Sequence, residues 1–579
     1  MEATPTAHDE APTHGLGALD LSHRAKMEIL FAILLGLFLG ALDQTIVAVA
    51  LPTIVTDLGG QSLLTWTITI YLLTSTITVP FYGKLSDLYG RKPLLMIGIT
   101  IFLIGSALSG LSQNMTQLII FRGIQGLGAG ALFPISLAVI GDLFTPAERG
   151  KYQGLFGAVF GVAAILGPLL GGWLTENASW HWIFFINIPI GIVALAVIAR
   201  LLPTVKRPDA SHSFDYLGGA VFTVAVASFL LGLTNKQANG WDTFQVSGLI
   251  LIGLVLWVVF VVIESRAKEP IVPLGLWKDR TYASSIIATF LVSIGFFAAA
   301  VFLPQWFQFV QGATPTNSGL YTLALLAGVI ISSVGSGILV SRTGRYKPII
   351  MAGLAVMAVG LYLMSNIQAD TPLPVLWSWM FITGIGIGPT LGVFTIVVQN
   401  AVPMRSLGVA TSNLTFFRQI GGSVGLAALG TVFATQLSGE IQGQMAPIVP
   451  KLIAAGVPPD ALGALAGNGQ ATSMIRVGHD LGKELLALFP EPLQARVAAV
   501  IPDMVFAFHQ AFSLAIGHVF LIGVGSTAAA LIVVTLFMRQ LPLRKGAGPR
   551  ERVPGELGAE AAVGAEAFDE LAEDPIPAM

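Results

Sequence analysis

Residues 29–52 read ILFAILLGLFLGALDQTIVAVALP, an apolar run long enough to cross the roughly 30 Å hydrocarbon core of a bilayer. One acid, Asp43, lies near the middle of this run. A carboxyl group at that depth costs about 2.5 to 3.5 kcal/mol, so such groups tend to lie inside a helix bundle and to serve a proton or an ion. Burial disfavours the charged form, which permits exchange between a proton and a cation. We therefore expect Asp43 to bind a proton; the alternative is an Asp that only hydrogen-bonds a neighbouring helix.

The composition of the whole chain agrees with this first run. The 579 residues are 54% hydrophobic and 11% charged, with a mean hydropathy of +0.78, whereas about a quarter of a soluble domain is charged. Successive apolar runs of about twenty residues predict an all-α integral membrane protein, because barrel strands would be near ten residues long and alternating. The polar N-terminal segment precedes a run that is too long for a signal-peptide core, so we expect a retained first span. The chain has no cysteine and can form neither a disulfide nor a thiolate metal site.

Apolar runs of this kind predict fourteen spans. They lie approximately at residues 29–52, 62–82, 93–111, 117–140, 152–174, 182–202, 214–235, 244–264, 282–310, 317–341, 347–366, 373–400, 407–437 and 506–538. An even number places both termini on one side. The loops of that side hold 23 of the 30 Lys and Arg residues and the opposite side holds five, with Arg122 and Arg418 inside spans. The positive-inside rule then predicts cytoplasmic termini in a multi-pass protein of the inner, cytoplasmic membrane.

A short motif occurs twice and divides the chain into two related halves; we call its two copies the echoed segments. GKLSDLYGRKP, residues 83–93, follows the second span, and GILVSRTGRYKP, residues 337–348, follows the tenth. Parallel repeated halves are typical of transporters in which one half rocks against the other. The predicted domains are a cytoplasmic N-terminal segment (1–27), a first six-helix bundle (28–203), two extra helices with a linker (204–281), a second six-helix bundle (282–538) and a cytoplasmic tail (539–579).

Two segments are predicted outside the spans. Residues 438–505 interrupt the second bundle on the outer side, and within them residues 472–500 have helical apolar spacing broken by prolines at 490 and 492. We interpret this segment as a partly helical external cap. The tail is rich in Ala, Gly, Pro and Glu, which predicts disorder.

Five motifs in chain order resemble those of the major facilitator superfamily, and specifically of its fourteen-span drug/proton antiporter branch. They are residues 83–93, LDQTIVAVALP (42–52), RGIQGLGAG (122–130), GVAAILGPLLGG (161–172) and WHWIFFINIP (180–189). Ala48 stands where relatives usually have Asn, and His181 where they have Arg. The resemblance covers about residues 26–539 apart from the external segment. It implies the major facilitator fold, with two six-helix bundles plus two extra helices, and drug efflux as the activity.

The loop after the second span carries the residues of a predicted conformational latch. Its candidate residues are Gly83, Asp87, Gly90, Arg91 and Lys92. The glycines permit close approach and a tight turn. The resemblance implies that Asp87 faces the N-terminal end of a helix in the other half, which we expect to be the span beginning near Leu407, and so latches the outward-open state. The charges of this loop also help to set the topology, and the two roles are compatible.

Arg122 lies about one turn inside the fourth span. An Arg remains charged and needs acceptors, and its positive charge favours loss of a proton from a nearby carboxyl group. The resemblance associates this motif with proton transfer, so we expect Arg122 to help Asp43 release its proton. The alternative is an Arg that extends to the lipid headgroups.

The fifth span carries a stripe of small residues. The predicted antiporter motif consists of Gly161, Gly167, Pro168, Gly171 and Gly172. Such a stripe lets another helix approach closely, and the proline supplies a bend. The resemblance implies that this bend seals the halves against proton leak and favours export; the alternative is packing alone.

By resemblance, helices of both halves line a central substrate cavity. Its predicted residues are Gln125, Gln305, Trp306, Gln308, Asn413, Phe417 and Arg418. Aromatic rings with a few uncharged hydrogen-bonding groups suit bulky amphipathic ligands through stacking and cation–π contact. The alternative is that many of these side chains face lipid or belong to the core.

These features predict proton-coupled efflux of small lipophilic compounds by alternating access. Asp43 is the only acid deep within a predicted span, so we expect few protons per cycle and neutral or monocationic substrates. The expected partners are these substrates, protons and membrane lipids, without nucleic acid, metal or cofactor, and the protein is expected to be a monomer. No HExxH motif, phosphate loop or nucleophile elbow is present, so we expect neither an enzyme nor catalytic residues. Alternatives are an exporter of an endogenous lipid, siderophore or metabolite, and a non-transporting membrane receptor.

Overall fold

The computed structural model describes residues 21–59, 63–204, 214–236, 239–458 and 481–543. The regular structure of these residues is helical throughout. The first part of the chain forms eight α-helices: α1 (His23–Leu58), α2 (Leu64–Tyr89), α3 (Arg91–Gly110), α4 (Met115–Leu143), α5 (Pro146–Gln153), α6 (Leu155–Asn177), α7 (Trp182–Phe185) and α8 (Asn187–Leu201). Most of the predicted N-terminal segment and tail lies outside the described residues.

The remainder continues the same pattern. It comprises α9 (Tyr216–Asn235), α10 (Leu249–Glu264), α11 (Arg280–Phe309), α12 (Pro315–Tyr321), α13 (Leu323–Thr343), α14 (Lys347–Met364), α15 (Leu373–Ala401), α16 (Leu407–Met445), α17 (Val449–Ala454), α18 (Leu481–Ala487), α19 (Glu491–Val497) and α20 (Ile501–Phe537). A π-helical turn, Phe244–Gly248, leads into α10. We call the side on which α1 begins and α20 ends the terminal side, and the opposite side the distal side.

Thirteen described helical segments are long and apolar enough to cross a membrane. Helix α2 is not among them, and it carries several Thr and Ser residues. Several of these hydroxyls donate to carbonyls one turn back in α2 itself, as Thr74 does to Ile70 and Thr78 to Thr74, which satisfies them without water. The count of fourteen spans stays a prediction.

The two repeats meet along two edges. At one edge α2 packs against α16, and at the other α5 and α6 pack against α13. Glycines permit both approaches: a Cβ on Gly83 would lie 2.8 Å from the carbonyl oxygen of Gly408, and a Cβ on Gly150 would collide with the backbone of Gly337. Gly83 and Gly337 begin the two echoed segments, so the sequence repeat corresponds to a repeated contact. The division into domains stays a prediction.

The extra helices α9 and α10 pack against each other beside the first of these edges. The ring centroid of Phe222 on α9 lies 5.8 Å from that of Phe81 on α2 and 5.3 Å from that of Phe416 on α16. Trp257 of α10 approaches Phe416 at 6.1 Å. The extra pair therefore contacts both repeats at the line where they meet.

The second echoed loop makes contacts within its own repeat. Lys347 Nζ donates to the carbonyls of Thr535 and Met538 at 2.9 and 2.8 Å, at the end of α20. The Tyr346 hydroxyl donates to the carbonyl of Arg539 at 2.7 Å, and burial raises the pKa of this phenol. Tyr346 and Lys347 thus bind the end of α20, whereas Gly337 at the start of the same echoed segment contacts Gly150 of the other repeat.

The segment predicted as an external cap is shorter than expected and largely helical where it is described. Helix α16 continues to Met445, because no proline interrupts it from Leu407 onwards, and α20 begins at Ile501. The break expected near the prolines is present, since α18 ends at Ala487 and α19 begins at Glu491. Leu452, Leu485 and Val497 are buried against the core of the second repeat, and residues 459–480 lie outside the described residues.

Candidate functional site

Asp43 is completely buried inside the first repeat, at the level where α1, α4 and α8 meet. Arg122 of α4 approaches it, with Nη1 donating to Asp43 Oδ2 at 2.6 Å, and only 2% of Arg122 is exposed. Each charge thus compensates the other where water is excluded, which is the condition for a buried ion pair to be tolerated. Since Arg122 lies seven residues after the first residue of α4, the pair lies about two turns from the distal end of that helix.

Two amides complete the coordination of the carboxylate. Gln125 Nε2 donates to Asp43 Oδ1 at 2.8 Å, and Asn187 Nδ2 donates to the same oxygen at 3.2 Å. Arg122 also donates to Gln125 Oε1 at 2.7 Å, which fixes the orientation of that amide. Three donors and no acceptor face the carboxyl group in these contacts, and this arrangement matches its ionised form, which only accepts.

Asn187 was not anticipated as a site residue. It begins α8, is fully buried, and its Nδ2 also lies 3.1 Å from the hydroxyl of Ser106 on α3, which donates to the carbonyl of Phe184 at 2.8 Å. The sequence gives one indication of it, which is an amide side chain at the start of an otherwise apolar span. We name Asp43, Arg122, Gln125 and Asn187 the carboxylate cluster.

An aromatic wall encloses the guanidinium. The centroid of the Tyr71 ring on α2 lies 4.1 Å from Arg122 Cζ, and that of Phe184 lies 5.8 Å away. A cation over a ring face is attracted by about 2 kcal/mol or more when it is desolvated. The wall therefore helps to keep Arg122 inside the repeat and away from the headgroups. Tyr71 and Phe184 are themselves buried beside the cluster.

The last turn of α2 touches the other repeat through Asp87. Its Oδ1 and Oδ2 accept the backbone N–H groups of Gly408 and Val409 at 3.0 and 2.8 Å, in the first turn of α16. This is the helix that the sequence analysis expected, and its exposed N–H groups and macrodipole favour an anion there. Arg91 Nη2 lies 2.6 Å from Asp87 Oδ1 and its Nε donates to Asp142 at 2.9 Å. All three charged groups are buried on the terminal side.

The other latch candidates have local roles. Gly90 has a φ of +96°, a conformation that favours glycine, and it separates α2 from α3. Lys92 Nζ donates to the carbonyl of Ala199 at 2.7 Å, within the first repeat. Of the five candidates, Asp87 and Gly83 contact α16 directly, and Arg91 holds the Asp87 carboxylate.

The residues of the predicted antiporter motif lie on α6 and contact other helices on two sides. Gly167 and Gly171 face α1, where a Cβ on Gly171 would lie 2.9 Å from the carbonyl oxygen of Ile46. Pro168 and Gly172 face α12 of the other repeat, with Thr316 Oγ1 at 3.3 Å from the Cβ position of Gly172, and Gly161 faces Ile330 of α13. The stripe therefore places α6 between the helix that carries Asp43 and the opposite repeat.

The structure does not bring the seven predicted cavity residues together. Gln125 belongs to the carboxylate cluster, and Trp306 is fully buried with its indole N–H donating to Ser513 at 2.9 Å. Asn413 is also fully buried and donates to the hydroxyl of Tyr282 at 3.0 Å. These side chains are engaged in packed interiors in this structure, and their assignment to a substrate cavity stays a prediction.

The remaining four candidates lie elsewhere in the second repeat. Gln305 is exposed, and Gln308 donates to Ser318 at 2.9 Å. Phe417 packs against Trp277, and Arg418 reaches the carbonyl of Leu391 at 3.4 Å. Phe417 and Arg418 are neighbours on α16, and they stay candidates for contact with a substrate.

A buried pair of amides also joins the repeats on the terminal side. Gln153 Nε2, at the end of α5, donates to Gln399 Oε1 of α15 at 2.8 Å. Gln399 Nε2 donates in turn to the carbonyl of Leu137 at 3.0 Å and lies 3.2 Å from the hydroxyl of Thr411. This contact was not anticipated, because glutamines in unrelated spans give no sign of pairing.

Comparison with known proteins provides independent information. The family model described as Major Facilitator Superfamily matches residues 33–426. The Multidrug transporter protein MdtP of Bacillus subtilis (strain 168) is 38% identical over 518 residues, which are 89% of this chain and 93% of that protein. Multidrug resistance protein 3 of the same organism is 33% identical over 512 residues, which are 88% of this chain and 94% of that protein.

Solved structures are similar at the level of fold. The proton:xylose symporter XylE bound to 6-bromo-6-deoxy-D-glucose has a TM-score of 0.56 at 13% identity, covering 90% of this chain and 98% of that one. The human organic anion transporter MFSD10 has a TM-score of 0.51 at 16% identity, covering 70% and 94% respectively. At such low identity these similarities describe the fold alone.

Proposed function

The chain belongs to the major facilitator superfamily and is a multi-pass membrane transporter rather than an enzyme, and on this premise we propose that it exports lipophilic, neutral or monocationic compounds in exchange for protons. The carboxylate cluster is the observation that carries the proposal. It holds a single acid deep in the bundle, and an arginine is its direct partner. The names of the two Bacillus subtilis relatives support multidrug compounds as the substrate class.

The cluster is arranged to bind and release one proton. With Arg122 at 2.6 Å, the carboxylate of Asp43 is charged and compensated, which corresponds to the state after proton release. A proton that arrives at Asp43 removes the charge that holds Arg122 and leaves the guanidinium short of an acceptor. Protonation therefore destabilises the present packing of α1 against α4 and favours a second conformation. This link between proton occupancy and helix packing is what coupling requires.

The latch supports alternating access. Asp87 ties the first repeat to the first turn of α16, and the Gln153–Gln399 pair ties α5 to α15, both on the terminal side. We infer that this side is cytoplasmic, as the distribution of Lys and Arg favours, and that the structure represents a state closed to the cytoplasm. Substrate release then takes place on the distal side, where the cluster lies nearer to the surface.

The glycine stripe supports export with little proton leak. Gly167 and Gly171 seat α6 directly on α1 beside Asp43, while Pro168 and Gly172 contact α12 of the opposite repeat. A close fit on both sides excludes water from the space between the repeats at this level. The extra pair α9 and α10 is a separate unit of the proposed domain organisation, between the two six-helix bundles.

The test is dye accumulation in membrane vesicles with an imposed pH gradient. Asp43→Asn keeps the shape of the side chain but removes its charge and one acceptor oxygen, and it cannot exchange a proton, so gradient-driven accumulation should fall to background. Asp503→Asn provides the matched control, because this acid is exposed at the start of α20 and pairs with Lys451. Full gradient-driven transport by Asp43→Asn, or several protons exchanged per monocation, would refute the proposed mechanism.

A further inference from the structure

Two carboxyl groups lie close together at the terminal end of the extra helices, remote from the carboxylate cluster. Asp215 caps α9, and its Oδ1 accepts the N–H of Gly218 at 2.8 Å. Glu264 is the last residue of α10, is 2% exposed, and its Oε1 accepts the N–H of Val272. Each carboxyl group thus has one oxygen engaged by the backbone.

The second oxygen of each group is buried and faces the same space. Among the described residues, neither Asp215 Oδ2 nor Glu264 Oε2 has a hydrogen-bond partner. A Cβ built on Gly218 would contact Asp215 Oδ2 and would lie 3.1 Å from Glu264 Oε2. Glycine leaves this space unfilled, and two acceptors from two different helices face each other across it. Buried polar atoms without a partner are rare in proteins and call for a donor.

The charges around Glu264 do not supply that donor. Within the described part of the chain, the charged groups that act on it are Asp215 and Lys84 of α2. The ammonium of Lys84 is 2.6 Å from Glu269, in the loop after α10, and forms its ion pair there. Among the described residues, Lys84 is thus the one cation that acts on Glu264, and it is already paired with Glu269.

We propose that Asp215 and Glu264 bind one proton between them, as a second proton site of the protein. Two like charges at this distance in a buried place are not both ionised at low energy. A proton on either carboxyl group removes one of the two charges and gives that group an O–H donor on the side of the space that the other open oxygen faces. The proton comes from water on the terminal side and returns to it, and no other bond changes.

The geometry favours a proton over a metal ion. Calcium takes about six to eight oxygen ligands, and the described residues contain no group of three His, Cys, Asp or Glu that could hold a metal. The groups that bond the engaged oxygens are backbone N–H donors, which repel a cation. Two facing carboxyl oxygens are sufficient for a shared proton.

The position of the pair connects its proton to the latch. Lys84 and Asp87 are three residues apart on α2 and so lie on neighbouring positions of one helix face. Loss of the shared proton leaves a second negative charge beside Lys84, which then competes with Glu269 for the ammonium. Proton occupancy thus changes how α10 and its following loop are fastened to α2. This inference concerns binding and does not depend on the proposed transport activity.

The experiment measures the shared proton directly in the full-length protein. Infrared difference spectra across a pH titration report the carbonyl stretch of a protonated carboxyl group, and Asp43→Asn is used as the background so that the first site is silent. We expect one such band at neutral pH, and its complete loss in Glu264→Gln and separately in Asp215→Asn. Glu269→Gln is the matched control, because it removes a neighbouring carboxylate that is already paired with Lys84, and the band should persist.

Thermal stability provides a second measurement. If the native protein holds one proton more than the unfolded chain, its melting temperature falls as the pH rises through release of that proton. Glu264→Gln cannot lose a proton and keeps an N–H donor facing Asp215, so its melting temperature should not show this fall. Absence of the band at every pH at which the protein is folded overturns the proposal, as does its persistence in both variants. Stabilisation by sodium, potassium or calcium at fixed pH in the native chain but not in Glu264→Gln would identify a metal site instead.

Discussion

The latch offers the sharpest quantitative test. Asp87 places an anion on two N–H groups in the first turn of α16, and only 6% of its surface is exposed. An anion in a partly buried geometry of this kind is stabilised by up to about 2 kcal/mol. Since about 1.4 kcal/mol corresponds to a factor of ten in an equilibrium constant, Asp87→Asn should shift the balance between closed and open terminal sides by up to about 30-fold.

The assay uses a single thiol as a reporter. The native chain has no cysteine, and Ser333 of α13 is 1% exposed and faces Gly157 of α6 across the second edge. Ser333→Cys therefore reacts with a polar maleimide mainly when the terminal side is open. The labelling rate should rise by about 10- to 30-fold when Asp87→Asn is added, in proportion to the population of the open state. Lys92→Gln is the control, because Lys92 belongs to the same loop but bonds within the first repeat.

Two results would refute this reasoning. One is a labelling rate that Asp87→Asn leaves unchanged, which would mean that the contact contributes nothing to closure. The other is an equal increase in Lys92→Gln, which would mean that the total charge of the loop matters rather than the contact with α16.

Two further predictions concern packing and the carboxylate cluster. Gly83→Ala places a methyl group 2.8 Å from the carbonyl oxygen of Gly408 and against Ser412, so thiol labelling should increase as in Asp87→Asn. The double variant Gly83→Ala with Ser412→Gly should recover part of the closure. If it recovers none, the cause is not steric. Asn187→Ala removes a donor from Asp43 and should destabilise its ionised form by about 1 to 3 kcal/mol, which moves the pH dependence of transport towards higher pH by about one to two units. An unchanged pH profile in Asn187→Ala, with the protein folded, would exclude a role for this amide.

The central ion pair was predictable because each partner is a lone charge in an apolar span. Asp43 and Arg122 are 79 residues apart, and each requires compensation in lipid. The contact of Asp87 with a helix start was expected from the family resemblance rather than from the residues alone, and the physical reason for it is that the N–H groups of a helix start attract an anion. A charged residue in an apolar span must be compensated by another group, so the sequence alone narrows the choice of its partner.

Neutral groups were harder to place. Trp306 lies on α11, which is apolar on every side, so periodicity does not distinguish its core-facing surface from one that faces a cavity. Asn413 has its partner, Tyr282, 131 residues away, and Asn187 depends on the rotation of α8 against α1. Their partners follow from helix packing, which composition and spacing do not determine.

The position at which α16 ends also differs from the prediction. The polar residues from 436 to 444 favour an exposed loop by composition, yet α16 continues through them to Met445. The hydrophobic thickness of a bilayer determines where a span meets water, and a helix does not have to stop there. Propensity and the absence of proline decide its length beyond that point.

The two echoed segments make different contacts, so the two edges along which the repeats meet are not equivalent. The α2–α16 edge carries the Asp87 contact and is flanked by α9 and α10. The α5–α13 edge has close glycine packing. Lys347 of the second echoed segment binds the end of α20. If the protein transports lipophilic compounds as proposed, a substrate that enters from the bilayer meets one edge that α9 and α10 cover and one edge, between α5 and α13, that they leave uncovered. We expect the helices to separate first at this uncovered edge, where the Gln153–Gln399 hydrogen bond must break, so that substrate enters laterally and on one side only.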